Sequence, residues 1–482
     1  MTLWAWLILI MADGACVGSF LNVVIYRMPA DQSLVSPPSA CPKCGHPLAW
    51  YDNVPILGWL WLRGACRYCR QPIDIQYPIV EAITATLFGG LFAAYYMTDL
   101  QPAWFDLGLG MTWPVLAIHL VLIAGLIAAT LIDARLYIIP LAIPRVITML
   151  AIVGLPLTII AYPQAIEVTT VTGIWGTGAA AGGLLGLLFA NGLLALRILP
   201  RSFSPMPPEP NPPEPDHHEP SDVGQGWHPW RALGRESLFV VGILGIGAGL
   251  HGLYRVLGRP ELAPAPHDGP PVQVEMVLLV MATVATVAAV AAILWSNRRA
   301  PGAAGQPNNA AESHSESPED WLDHPHPQRE VCKEALFVGW PIVGAITGAL
   351  VLGRLNVNLP VPVNVLGSTI LGYLVGCGVV WIVRILGTLA FGREAMGLGD
   401  VHLLGAIGAV VGWLDSLVVF FIAPFLGLLG ALMVAGLVRI FRGHVRVIPY
   451  GPYLAAAAAL VLFIGGKRIL VFFGIFDSCL MI

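Results

Sequence analysis

Charge is what this chain has least of. Asp, Glu, Lys and Arg make up 11% of its 482 residues, where a soluble domain carries about a quarter. No dense Lys/Arg cluster occurs, so the electrostatic footprint of a nucleic-acid binder is missing and no nucleic-acid partner is expected. No Lys or Arg precedes Arg27. The first apolar run therefore lacks the basic flank of a cleavable signal and is expected to stay as a membrane helix. Asp13-Gly14-Ala15-Cys16 is a poor lipoprotein site, with an acid where an apolar residue is expected. The net charge of -4 says little, because in such a chain the distribution of charge matters more than its sum.

What the chain has in excess is hydrophobic sequence: 56% of residues, with mean hydropathy +0.74. Repeated apolar windows of roughly 20 residues predict an all-α polytopic membrane protein of about 12 transmembrane helices. Spans are expected near 2–25, 79–97, 114–132, 141–162, 171–196, 237–257, 275–296, 335–353, 363–391, 401–413, 416–439 and 453–475, the last interrupted by Lys467 and Arg468. A polar segment from 26 to 78 separates the first two. Pro205 to Pro215 holds so many prolines that neither helix nor core can form there, and an extended linker is expected. A second polar linker is read from about 297 to 333. The organisation is thus a first helix (1–25), a polar loop (26–78), membrane helices (79–162), an intervening unit with its linkers (163–362) and a final set of helices (363–482).

With the N-terminus outside and spans alternating, inner loops and helix ends carry about 20 of the 25 Lys and Arg residues. Arg255, Arg259, Arg354, Lys467 and Arg468 remain outside. This orientation puts the first polar loop on the cytoplasmic side.

Eight cysteines divide unevenly. Cys16, Cys332, Cys377 and Cys479 are scattered and receive no role. Cys41-x2-Cys44 and Cys66-x2-Cys69 stand together in the inner loop. Two such knuckles complete a tetrahedral all-thiolate site for zinc, and four protein ligands leave no position for water. The metal should be structural, supplying folding energy to a loop with little core. The competing reading, two disulfides, conflicts with a reducing cytoplasm. His46 is read as a bystander.

Two acids end or begin apolar runs on the same side: Asp133 in Leu131-Ile132-Asp133-Ala134-Arg135, and Asp400 in Gly397-Leu398-Gly399-Asp400. Asp133 is read one step beyond its span, and Asp400 just ahead of the next. Either alone could be a helix N-cap, as Asp13, Asp99, Asp106 and Asp415 are read to be. An acid in a membrane segment is a functional candidate by default. Placed together, two carboxylates share one proton, since both cannot ionise cheaply. One can then activate water while the other protonates a scissile group.

Several motifs follow one another in order. They are Phe20-Leu21-Asn22-Val23-Val24-Ile25-Tyr26-Arg27, the paired Cys-x-x-Cys knuckles and Tyr77-Pro78-Ile79-Val80-Glu81. Then come Asp133-x5-Ile139-Pro140, Arg393-Glu394-x-Met396-Gly397-x-Gly399-Asp400, and Ile448-Pro449-x-Gly451-Pro452-Tyr453. Over roughly 1–162 and 363–475 they resemble the type IV prepilin peptidase family (prepilin leader peptidase/N-methyltransferase). The resemblance implies a Gly-x-Gly-Asp intramembrane aspartic protease of the bacterial inner membrane, with Asp133 and Asp400 catalytic on the cytoplasmic side. Its substrates would be the prepilins of type IV pili or the pseudopilins of type II secretion. It further implies methylation of the new N-terminus with S-adenosylmethionine, an activity associated with the zinc-bearing loop; no S-adenosylmethionine signature is read directly. Leu141 stands where the family often has an acid or amide, and His402 where a Lys is common. Glu81 could hold the methyl acceptor or the loop, or simply favour a helix N-terminus. About 200 extra residues, 163–362, separate the matched halves.

Two other readings are carried. A proton-coupled transporter would suit many spans and buried acids, but predicts acids near mid-membrane. A non-catalytic scaffold would use the thiol loop alone and needs no pair of acids.

Overall fold

The computed structural model describes residues 2–41, 43–199, 202, 327–355, 357–391, 395–441 and 449–472. The spans expected near 237–257 and 275–296, the Pro-rich linker, Arg393, Glu394, Ile448 and Cys479 lie outside them. Among the described residues the fold is all-helical, with two isolated β-bridges and no named strand. The helices are α1 (Leu3–Arg27), α2 (Leu57–Trp61), α3 (Gln76–Tyr96), α4 (Pro102–Leu107), α5 (Leu109–Leu136), α6 (Ala142–Ala161) and α7 (Ile174–Ala195). They continue as α8 (Pro327–Leu355), α9 (Val361–Phe391), α10 (Leu398–Val411), α11 (Trp413–Phe441), α12 (Gly451–Ile464) and α13 (Gly466–Phe472).

Eight of them are long and apolar enough to cross a membrane, and α10 and α12 are shorter apolar helices. With no water inside a bilayer, backbone groups must bond within the segment, so apolar runs of this length become helices. Four boundaries differ from the sequence reading. Asp133 lies inside α5, in its last turn, because the helix runs on to Leu136 and closes on left-handed Tyr137, whose N–H donates to the Asp133 carbonyl (2.9 Å). Asp400 lies inside the first turn of α10. Residues 327–333, read as linker, are helical, and a Glu330–Lys333 pair one turn apart supports that start. The last span breaks at Gly465, whose φ of 88° no other residue type adopts cheaply.

The main core is formed by α1, α3, α5, α6, α9, α10, α11 and α12, with Leu122, Ile132, Leu403, Leu404, Val419 and Leu454 fully enclosed. Helices α9 and α10 meet backbone to backbone at Gly372 and Gly408, where a Cβ on either would overlap the other's carbonyl. Small residues permit this approach, which is how membrane helices gain contact when lipid is as apolar as the partner. Contacts bring the thiol loop, the end of α5 and the starts of α10 and α12 together: Tyr77, which accepts from Asn22, neighbours Arg135 at the end of α5, Gly451 meets Asp133, and Ile139 reaches both Gly399 and Gly451.

Candidate active site

Asp133 is 6% exposed. Its Oδ2 accepts a hydrogen bond from the backbone N–H of Gly451 (3.2 Å), the first residue of α12. The following Pro452 has no N–H, so Gly451 is the donor that this helix end presents, and the helix dipole adds to it. A Cβ at 451 would stand 2.5 Å from Oδ2, so the approach requires glycine.

Asp400 is the third residue of α10. It reaches back to the backbone of the cap residue, Gly397, as an acid at that position does in a capping box. Its other oxygen, Oδ1, is buried and has no hydrogen-bond partner among the described residues. An orphaned carboxylate oxygen is a costly arrangement to retain. The two acids are brought together: the Asp133 charge acts on Asp400, and Ile139 bridges their surroundings. Ile139 lies 2.8 Å from where a Cβ on Gly399 would sit and 3.2 Å from the same point on Gly451. Tyr450 is near enough to feel the charge of Asp400.

The two positions where this chain departs from the family pattern take ordinary roles. Leu141 is the cap residue of α6 and leaves that helix end without a side-chain cap. His402 Nδ1 and Tyr373 Oη share a hydrogen bond of 2.9 Å, which turns the imidazole toward α9.

The four thiols converge outside the membrane helices. Cys41, Cys44, Cys66 and Cys69 place their sulfurs within 4.8 Å of one another, with Cys41 and Cys69 Sγ 3.8 Å apart. Zinc–sulfur bonds of about 2.3 Å set tetrahedral sulfurs about 3.8 Å from each other, so the donor set fits zinc. The same separation is far too long for a disulfide, and all four are free. The knuckles repeat one design. Cys41 N–H bonds His46 O and Gly45 N–H returns to Cys41 O, while Cys66 N–H bonds Gln71 O and Arg70 N–H returns to Cys66 O. Backbone N–H groups of Cys44 and Lys43 lower the Cys41 thiol, while burial and the neighbouring sulfurs hold that of Cys69 up, so the four share their protons as a set. His46 instead packs at a tilt against Tyr68, with centroids 3.5 Å apart.

This loop is tied to the helices beneath it. The Ile56 N–H donates to Glu81 Oε2 (2.6 Å), and Ile56 holds φ at 61°, strained for a β-branched residue. Glu81 is thus an anchor of the loop. Arg27 donates to the carbonyls of Ser33 and Pro37, and Asn22 to that of Tyr77. Within the loop, buried Asp52 pairs with Arg67 (Nε to Oδ2, 2.9 Å).

Sequence reasoning missed two features. One is Gly451 as the donor to Asp133. The other is the buried pair of Arg384 (α9) and Glu334 (α8), with Nε 3.0 Å from Oε1. An arginine inside an apolar run was the available signal for the second.

Comparison with known proteins points one way. Residues 13–95 match the bacterial peptidase A24 N-terminal domain, and residues 340–432 match the type IV leader peptidase family. The prepilin leader peptidase/N-methyltransferase of Myxococcus xanthus (strain DK1622) is 42% identical over 156 residues, covering 32% of this chain and 42% of that protein. Those of Aeromonas hydrophila and Neisseria gonorrhoeae are 38% and 39% identical, over 24% and 25% of this chain and 47% and 46% of their own lengths. The chain thus spans less than half the length of these relatives. No solved structure matches. At both its N-terminal and its C-terminal portions, the chain is similar to prepilin leader peptidases and to the type IV leader peptidase family.

Proposed function

We propose that this chain is an intramembrane aspartic endopeptidase of the bacterial inner membrane, cutting the leader from prepilins or pseudopilins on the cytoplasmic side. The observation that carries the reading is the meeting of two carboxylates, from the end of α5 and the start of α10, at one end of the bundle. The names of the relatives support it.

The chemistry follows from sharing one proton between the pair. The ionised carboxylate takes a proton from water as the water oxygen attacks the scissile carbonyl carbon. The protonated one donates to the carbonyl oxygen, giving a tetrahedral diol. Collapse breaks the C–N bond and returns a proton to the departing amine. Hydrogen bonding distinguishes the partners. Asp133, held by the Gly451 N–H, suits the ionised role, and Asp400, with a buried oxygen that has no partner among the described residues, suits the proton donor. The pair titrates as a unit, so this assignment is of roles within it.

The thiol loop would hold zinc through Cys41, Cys44, Cys66 and Cys69 as a folding element. Methylation of the new N-terminus with S-adenosylmethionine is proposed from the names of the relatives alone, with no residue assigned to that cofactor.

The test is cleavage of a prepilin-like substrate in membranes by wild type, Asp133→Asn and Asp400→Asn. Each single change should lower the rate by about 10^2 to 10^4 while the protein still accumulates. Normal cutting by either variant would refute the two-aspartate mechanism.

A further inference from the structure

We propose that the Glu334–Arg384 pair is a positioning device that fixes the backbone just ahead of Asp400, so that a carboxylate outside the family matches helps set the geometry of the catalytic pair. This rests on the peptidase reading. Arg384 is 1% exposed and Glu334 2%. The Arg384 Nε donates to both Glu334 oxygens, at 3.0 and 3.2 Å, and one terminal nitrogen donates to the Met396 carbonyl. Met396 begins Met396-Gly397-Leu398-Gly399-Asp400.

A second bond holds the same stretch: the Ala395 N–H donates to Thr388 Oγ1 (3.2 Å), one turn beyond Arg384 on α9. Glycine 397 and glycine 399 give this backbone no side-chain anchors of their own, so the arginine and the threonine supply them. Glu334 orients the guanidinium. It also accepts from Trp381 Nε1 (3.3 Å) and Ser202 Oγ (3.5 Å), so its acceptor capacity is well used.

Arg384 and Met396 lie within the matched residues 340–432, whereas Glu334 and Ser202 lie in neither match. The counter-charge thus comes from a part of the chain that the family models do not cover. A planar guanidinium can face a carboxylate along one edge and a carbonyl along another, and an ammonium cannot.

The experiment uses the full-length protein in membranes or detergent. In the double variant Glu334→Met with Arg384→Met, both charges leave together. Replacing a buried pair by apolar side chains is often neutral for folding, but nothing then holds the Met396 carbonyl. The expected result is normal accumulation, kcat for leader cleavage lowered about 10- to 100-fold with KM within about twofold, and faster amide exchange across 395–400. Wild-type kcat would overturn the proposal, and so would unchanged exchange. Arg384→Lys should lower kcat in the same direction with the charge retained. If the double variant does not accumulate, Glu334→Gln is read by the same two measures. If wild type itself cuts no prepilin, the peptidase reading has failed, and the exchange measurement alone decides whether the clamp exists.

Discussion

The thiol loop and the carboxylate pair occupy the same end of the molecule and are built on opposite terms. In the loop, four sulfurs converge and each knuckle closes its own backbone bonds. A metal held by them would be fully coordinated, with no position for substrate. At the carboxylates, one acid has a single backbone donor and the other keeps a buried oxygen with no partner among the described residues. Saturation makes a structural site and incompleteness makes a reactive one, because only unspent hydrogen-bonding capacity can act on a substrate. Their supports differ too. The loop leans on a metal and on tethers to Glu81 and Arg27, while the acids lean on glycine-permitted backbone approach.

The strongest way to break this contrast, after the aspartate substitutions, is to crowd the reactive site without touching its acids. Gly451→Ala puts a methyl 2.5 Å from Asp133 Oδ2 and 3.2 Å from Ile139 Cδ1. Either the carboxylate or the start of α12 must move, and the N–H bond is lost. A displacement of that size costs roughly 10^2 in rate when the reacting groups must be aligned. Leader cleavage should fall by about that factor with KM little changed, measured on membranes at equal protein level. Wild-type cleavage would mean that the Gly451 contact does not orient Asp133.

Next comes Cys66→Ser, or removal of metal by chelation. The loop's folding energy from zinc is on the order of 10 kcal/mol, so residues 28–75 should become rapidly cleaved by added protease. Cleavage of the leader should drop no more than severalfold, since the acids are supported from α5, the segment after it at Ile139, α10 and α12. If leader cleavage falls as far as in Gly451→Ala, the two regions are one cooperative unit and the contrast fails.

Much of this was legible in the sequence, for identifiable reasons. Apolar runs announce membrane helices because the bilayer leaves the backbone no alternative, and the four cysteines announce themselves by spacing. Both Asp133 and Asp400 stood out because an acid is costly at such positions. What stayed hidden depends on long-range pairing. Nothing local in Gly451-Pro452 says that its N–H will meet a carboxylate 318 positions away. Glu334 falls between the linker (297–333) and the span (335–353) read from sequence, and nothing local pairs it with Arg384, 50 positions away. Glu81 could have served a methyl acceptor or a loop from sequence alone; its bond to the Ile56 N–H is a tertiary fact.

The smallest expected effect sharpens the comparison from the loop's side. Asp52 is buried against Arg67, whose guanidinium, by hydrogen bonding and then by charge, holds the Asp52 carboxyl below the usual carboxylate range. A carboxylate depressed in the folded loop contributes stability that is present above the unfolded value, about 3.9, and is lost as pH falls through the folded one. At neutral pH the pair is intact. Because Arg67 reaches solvent, Asp52→Asn should raise the protease sensitivity of the metal-loaded loop only about twofold to fivefold. The gap between variant and wild type should begin to narrow below the unfolded value of about 3.9 and close only below the lower folded one. Leader cleavage at neutral pH should not change. A variant loop as labile as that of Cys66→Ser would show that the ion pair, rather than the metal, holds it together.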